Sequence, residues 1–187
     1  MEPSQTYYRT AEELEAGLDH LRSSPADCGS VEMIVCRPQV GQREVLAAGV
    51  LDPALGLVGD GWLARGSSST PDGSAHPEMQ LTLMNVRVIG LISPDKNRWP
   101  LAGDQLFVDL DLSKDNLPPG TRLAAGSAVI EITAQPHTGC SQFQTRFGRD
   151  ALKFISSPVG KQLQMRGIYA RVISQGSVRV GDLLRKI

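Results

Sequence analysis

The strongest constraint on the fold is a series of short apolar runs with a two-residue period, punctuated by glycine and proline. Val31–Cys36 is one such run. Leu81–Ile89 alternates as Leu81 and Leu83 against Thr82, then as Val86 and Val88 against Arg87. Gln105–Leu112, Ala128–Thr133 and Ile168–Ile173 follow the same pattern, and Gln175-Gly176 reads as a hairpin turn into Ser177–Val180. Side chains alternate across a strand, so each run offers one face to a core. Many short strands joined by tight turns predict a mainly β (α+β) chain, a closed or partly closed antiparallel barrel with a few short helices.

Two helices are expected around this barrel. Thr10 and Glu13 have capping-box spacing, Leu14, Leu18 and Leu21 share a face, and Pro25 ends the pattern. Arg149–Ser156 places Ala151, Leu152 and Ile155 together, with Pro158 beyond its end. The stretch Gly66–Glu78 is rich in Ser, Gly and Pro and reads as a disordered loop.

The 187 residues suffice for one domain with an ordinary core, and no internal repeat or second core is visible. Lys and Arg number 19 against 20 Asp and Glu, for a net charge of −1, and aromatics are only 5%. That balance argues against a nucleic-acid partner, which calls for basic excess or stacking surfaces. The most apolar window, Leu46–Ala64, contains Asp52, Pro53 and Asp60, so a membrane span is excluded. Met1–Gln5 is acidic and polar, and no secretory signal is expected. An odd count of three cysteines then points to reduced thiols and a cytoplasmic protein.

Among those thiols Cys140 stands out. It ends Pro136-His137-Thr138-Gly139-Cys140, a turn after an apolar strand that would present it at the barrel rim. Positive charge favours the reactive thiolate, and His137, Arg146 and Arg149 are the local sources. A small buried hydrophobic cysteine is the alternative for Cys140, and burial is the expectation for Cys28 and Cys36. His137 and Cys140 lack partners for a tetrahedral zinc site. Asp109–Asp115 fails as a calcium loop, with Lys114 and Gly120 where Gly and Glu belong, so Asp109 and Asp111 are read as solvent-facing. Arg146, Arg149, Lys153, Arg166 and Arg171 concentrate in the last third, and arginine forks suit a phosphorylated small ligand.

Five segments, in order, carry a family resemblance. They are Gly56–Trp62 (GLVGDGW), Asp115–Gly120 (DNLPPG), Pro136–Cys140 (PHTGC), Arg166–Val172 (RGIYARV) and Gly176–Asp182 (GSVRVGD). Together they resemble a MOSC domain, the module named for the C-terminal part of molybdenum-cofactor sulfurase. The resemblance spans 28–187 and leaves 1–27 as an N-terminal extension with one capped helix. It implies a barrel like the β-barrel domain of pyruvate kinase, and a molybdenum cofactor (molybdopterin) with Cys140 as metal ligand. His137 would tune the metal or move protons. Arg146 and Arg166 would hold phosphate, Asn116 would meet the pterin edge, and Thr138, Arg149 and Arg65 complete the cofactor-binding set. The implied activity is reduction of N-oxygenated substrates with an electron-donor reductase. An alternative is a sulfur carrier holding a persulfide on Cys140, loaded by a cysteine desulfurase. A second alternative is a non-catalytic barrel binding an anionic metabolite. Pyridoxal phosphate belongs to a separate domain of the fused sulfurases and is not expected in this chain.

Overall fold

The computed structural model describes residues 8–187, so the reading of Met1–Gln5 lies outside the described residues. Eleven strands are seen: β1 (Cys28–Cys36), β2 (Glu44–Leu46), β3 (Ala48–Asp52), β4 (Gly56–Leu57), β5 (Leu81–Asn85), β6 (Leu106–Asp109), β7 (Arg122–Ala125), β8 (Ala128–Ile132), β9 (Ile168–Ser174), β10 (Gly176–Arg179) and β11 (Leu183–Lys186). The helices are α1 (Ala11–Glu15), α2 (Leu18–Arg22), α3 (Trp62–Arg65), α4 (Val86–Ile92), α5 (Ser141–Phe147), α6 (Arg149–Ser156) and α7 (Pro158–Gln162). None of these helices is long and apolar enough to cross a membrane.

Seven strands close into a barrel in the order β11-β7-β8-β9-β5-β6-β1, and β1 returns to β11. The nine-residue β1 makes this possible. Its first residues pair with β11, its last three pair with β2, and β6 runs along its other edge. Strand crossing is tight there: a Cβ on Gly29 would lie 2.0 Å from the Asp109 carbonyl oxygen, so only glycine lets the two backbones approach. A separate three-stranded sheet, β10-β3-β4, stands beside the barrel.

Alternation builds two cores. Leu106 and Val108 of β6 point into the barrel with Leu81 and Leu83 of β5, while Phe107 and Met84 point outward beneath the helices. β5 is packed on both faces and so is buried at every residue, its polar Thr82 bonded to Gln105 and its Asn85 to Ser24 and the Leu110 carbonyl. The outer layer joins Leu14 and Leu21 to Val88, Trp99, Phe143, Phe147 and Phe154.

Several expectations are corrected. The run Leu81–Ile89 is not one strand. It changes to α4 at Asn85, whose side chain caps the helix by accepting from the Arg87 N–H. Val88, Ile89 and Ile92 are the buried positions, a helical spacing hidden inside an alternating run. This helix and the following 3-10 helix (Lys96–Ala102) form a crossover, so β5 and β6 pair in parallel while every other pairing is antiparallel. Gln175-Gly176 is no hairpin either. β9 pairs with β8 and β5, whereas β10 pairs with β3, because the chain passes from the barrel to the second sheet there.

The capping box at Thr10 and Glu13 is present, but the helix breaks at Ala16-Gly17 into α1 and α2. α6 forms at Arg149–Ser156 as read. Gly66–Glu78 is structured, with Thr70 donating to the Ser67 and Ser74 carbonyls and the Glu78 N–H donating to His76 Nδ1. Cys28 is exposed rather than buried, since it opens the edge of β1, while Cys36 is buried and its thiol is pushed up by that burial. Asp109 is not simply solvent-facing, because it accepts two bonds from Arg87. Asp111 accepts from the Ser113 N–H and hydroxyl.

Candidate functional site

The site forms where the Pro136–Cys140 strap leaves the barrel. Glu78 anchors the start of the strap: its carbonyl accepts from the Thr133 hydroxyl and its carboxylate from the Gln135 amide. The strap ends at Cys140, which is exposed and immediately precedes α5. It therefore lies at the rim, not at the floor of a cleft.

His137 turns inward. Its ring packs on Tyr169 of β9 at 4.5 Å between centroids and comes within 3.7 Å of Asp104 Oδ1. Burial, reinforced by Arg166 and Arg37, holds its pKa well below the ordinary histidine value. The imidazole is consequently neutral at neutral pH, and it does not supply the positive charge expected of it beside Cys140. Asp104, on the turn before β6, is fully buried and accepts from Arg166 Nη1 at 3.1 and 2.9 Å. Burial raises the Asp104 pKa and Arg166 opposes the rise. Burial also raises the Tyr169 hydroxyl. Two buried nitrogens of this cluster, His137 Nδ1 and Arg166 Nε, have no hydrogen-bond partner among the described residues.

Behind the cluster lies an arginine bracket. Four successive carbonyls at the end of the 3-10 helix each accept from a different guanidinium. Arg43 Nε donates to Pro100 at 2.9 Å, Arg146 Nη1 to Leu101 at 2.7 Å and Arg166 Nη2 to Ala102 at 3.0 Å. Arg37 Nη1 donates to Gly103. Carbonyls at a helix end carry partial negative charge and attract cations. Asp60, between Gly59 and Gly61, fixes Arg37 through Nε and Nη2, with Arg65 at 3.8 Å. Burial and then neighbouring arginines lower the pKa of Arg43 and of Arg65. Five guanidiniums thus share two carboxylates, Asp60 and Asp104, leaving an anion-attracting surplus.

A cleft of about 650 Å³ opens along the strap, lined among others by His137, Thr138, Gly139, Lys114, Lys161 and Arg166. His137, Thr138 and Arg166 are therefore brought together. Arg146 and Arg65 join the bracket instead. Asn116 is not part of the assembly. Its amide donates to the Ala26 and Asp111 carbonyls and its oxygen accepts from Lys186. These bonds tie the loop to β11 and leave no free donor. Arg149 is exposed at the start of α6 and does not line the cleft, while Arg171 is committed to Glu131. Arg37, Arg43, Asp104 and Tyr169 escaped the sequence reading. Only Asp104 had a local signal, a charge directly ahead of an apolar strand.

The barrel thus brings together an exposed thiol, a buried Asp-Arg-His cluster and a bracket of arginines. The model of the MOSC domain, a module associated with the molybdenum cofactor, matches residues 97–185. No curated protein matches the chain. Solved structures with the same fold include the YUAD protein from Bacillus subtilis, at 17% identity and a TM-score of 0.62, covering 84% of this chain and 94% of that one. YiiM from Escherichia coli is 20% identical with a TM-score of 0.54, covering 84% and 69% respectively. YiiM from Geobacillus stearothermophilus is 15% identical with a TM-score of 0.52, covering 88% and 74%.

Proposed function

We propose that this protein binds a molybdenum cofactor with Cys140 as the metal ligand and uses it to reduce an N-oxygenated substrate with a partner reductase. The observation that carries the reading is the pair of unsatisfied buried nitrogens, His137 Nδ1 and Arg166 Nε, the first on the strap that ends at the exposed thiol and the second on a member of the arginine bracket. Buried polar atoms are normally satisfied, so this cluster fits a polar ligand that completes it.

The donor set suits the group. A soft thiolate is an appropriate ligand for the metal, and guanidinium forks are appropriate for the pterin's phosphate. Arg43, Arg146 and Arg65 would hold that phosphate, each already pre-positioned by a carbonyl or carboxylate. When bound, the group would supply oxygen-atom and electron chemistry. The neutral imidazole of His137 is suited to accept or return a proton beside it. Thr138 would contribute a hydroxyl from the strap. We take the module to begin at Cys28, because β1 is needed to close the barrel, with 1–27 as an N-terminal extension whose helices α1 and α2 pack on the outer layer. A cytoplasmic setting, with reduced thiols, accords with this use of Cys140.

Elemental analysis of protein expressed in a cofactor-competent host tests the reading. Wild type should carry molybdenum and Cys140→Ala should carry little, while equal contents would overturn it. The exposure of Cys140 supports a second reading, a sulfur carrier, since a persulfide must be reached by its desulfurase. Mass spectrometry after incubation with a cysteine desulfurase should then show a sulfur adduct on Cys140.

A further inference from the structure

The cleft and the arginine bracket are two different places. Arg37, Arg43, Arg65 and Arg146 do not line the cleft, and only Arg166 belongs to both. The cleft has its own chemistry. Among the described residues that line it there are three cations, Lys114, Lys161 and Arg166, and no carboxylate. Arg166 is already neutralised by Asp104, so the uncompensated charge is that of the two lysines. Both lysines are exposed at the mouth, and neither is in an ion pair among the described residues. The walls are mixed: Leu117, Ile132 and Ile155, each largely buried, line the cleft together with neutral polar side chains such as Thr133, Gln135 and Gln164.

A cleft of about 650 Å³ is of the size that encloses a small organic molecule, and it offers both apolar surface and polar groups to orient one. We infer that this cleft is the substrate pocket and that its substrate is a small organic anion: an apolar body against Leu117, Ile132 and Ile155, and one acidic group between the ammonium groups of Lys114 and Lys161. The inference rests on the reading of Cys140 as the metal ligand, because Gly139 lines the cleft and Cys140 follows it. A cofactor phosphate held in the bracket leaves the lysines free for a second anion. The lysines select the substrate by charge; they are specificity residues, and the reaction takes place at the strap.

Two fluorescent probes of nearly equal shape test this on the full chain. One is 1-anilinonaphthalene-8-sulfonate, and the other is neutral N-phenyl-1-naphthylamine. The expected result is that wild type binds the sulfonate about tenfold or more tightly than the neutral probe. The double substitution Lys114→Gln/Lys161→Gln should abolish that preference with molybdenum content unchanged. Both side chains are exposed, so the variant should fold. Equal binding of the two probes, or a preference that survives in the variant, overturns the assignment. Loss of molybdenum together with the sulfonate also overturns it, because the cleft would then be the cofactor's own. Equal molybdenum in wild type and Cys140→Ala fails the underlying reading separately. In that event the probe preference would mark an anion-binding cleft with no reaction attached.

Discussion

Replacing Asp104 by Asn is the most informative perturbation of the cluster. Asp104 has no solvent exposure and Arg166 has 8%, and two contacts of 2.9 and 3.1 Å join them. Asn keeps the size of the side chain but removes its charge, which leaves a guanidinium buried without a counterion. Losing one partner of a buried pair costs about 3–5 kcal/mol, far above the value of a surface pair. With a urea slope of about 2 kcal/mol per M, the midpoint should fall by about 1.5–2.5 M at pH 7.5. The double variant Asp104→Leu/Arg166→Met removes both charges and keeps the volume filled. It should recover most of the loss and come to within about 1–2 kcal/mol of wild type, the remainder reflecting the donor lost by the Ala102 carbonyl. A single variant that costs less than about 1 kcal/mol refutes the reasoning, as does a double variant no more stable than the single.

Two further outcomes follow from the same physical picture. His137 has a folded pKa well below its unfolded value, so the unfolded chain takes up a proton near pH 6.5 that the folded chain refuses. Its contribution is therefore intact above that pH and is lost as the pH falls below it, by at most about 1.4 kcal/mol per pH unit. Urea midpoints from pH 7.5 to 5 should fall less steeply in His137→Asn, and parallel curves would count against a neutral buried imidazole; the comparison isolates His137 from Asp104, whose raised pKa acts with the opposite sign. Gly29→Ala places a methyl group 2.0 Å from the Asp109 carbonyl oxygen at the barrel seam, and forcing the strands apart should cost about 1–3 kcal/mol. The thermal midpoint should drop by roughly 3–10 °C, and one unchanged to within about 1 °C would show that the seam yields freely.

The barrel was legible because period-two alternation is a local property, carried by runs such as Ala128–Ile132 and Ile168–Ser174. The parallel pair was not, because α4 begins in mid-run at Asn85 and β-branched Val86 and Val88 suit a strand as well as a buried helix. The thiol and its strap could be read from Pro136–Cys140 because turn chemistry is local as well. The charge of His137 could not, since it depends on burial beside Tyr169 and Arg166, residues far along the chain. The partners of Asn116 were hidden for a similar reason: its side chain bonds to Ala26, Asp111 and Lys186, and only Asp111 is nearby in sequence. Of the arginines clustered in sequence only Arg146 and Arg166 are clustered in space; Arg149 and Arg171 drop out while Arg37 and Arg43 enter.

The ladder of carbonyls at 100–103 binds arginines 45 to 66 residues away, two from the first quarter of the chain and two from the last third. A nascent chain that has emerged as far as Gly103 holds the acceptors and only half of the donors. The bracket is completed only when α5 and the turn before β9 have docked on the barrel. Without Arg146 and Arg166 three guanidiniums face the same two carboxylates, so most of the positive surplus is a property of the finished fold and an incompletely folded copy carries only a remnant of it.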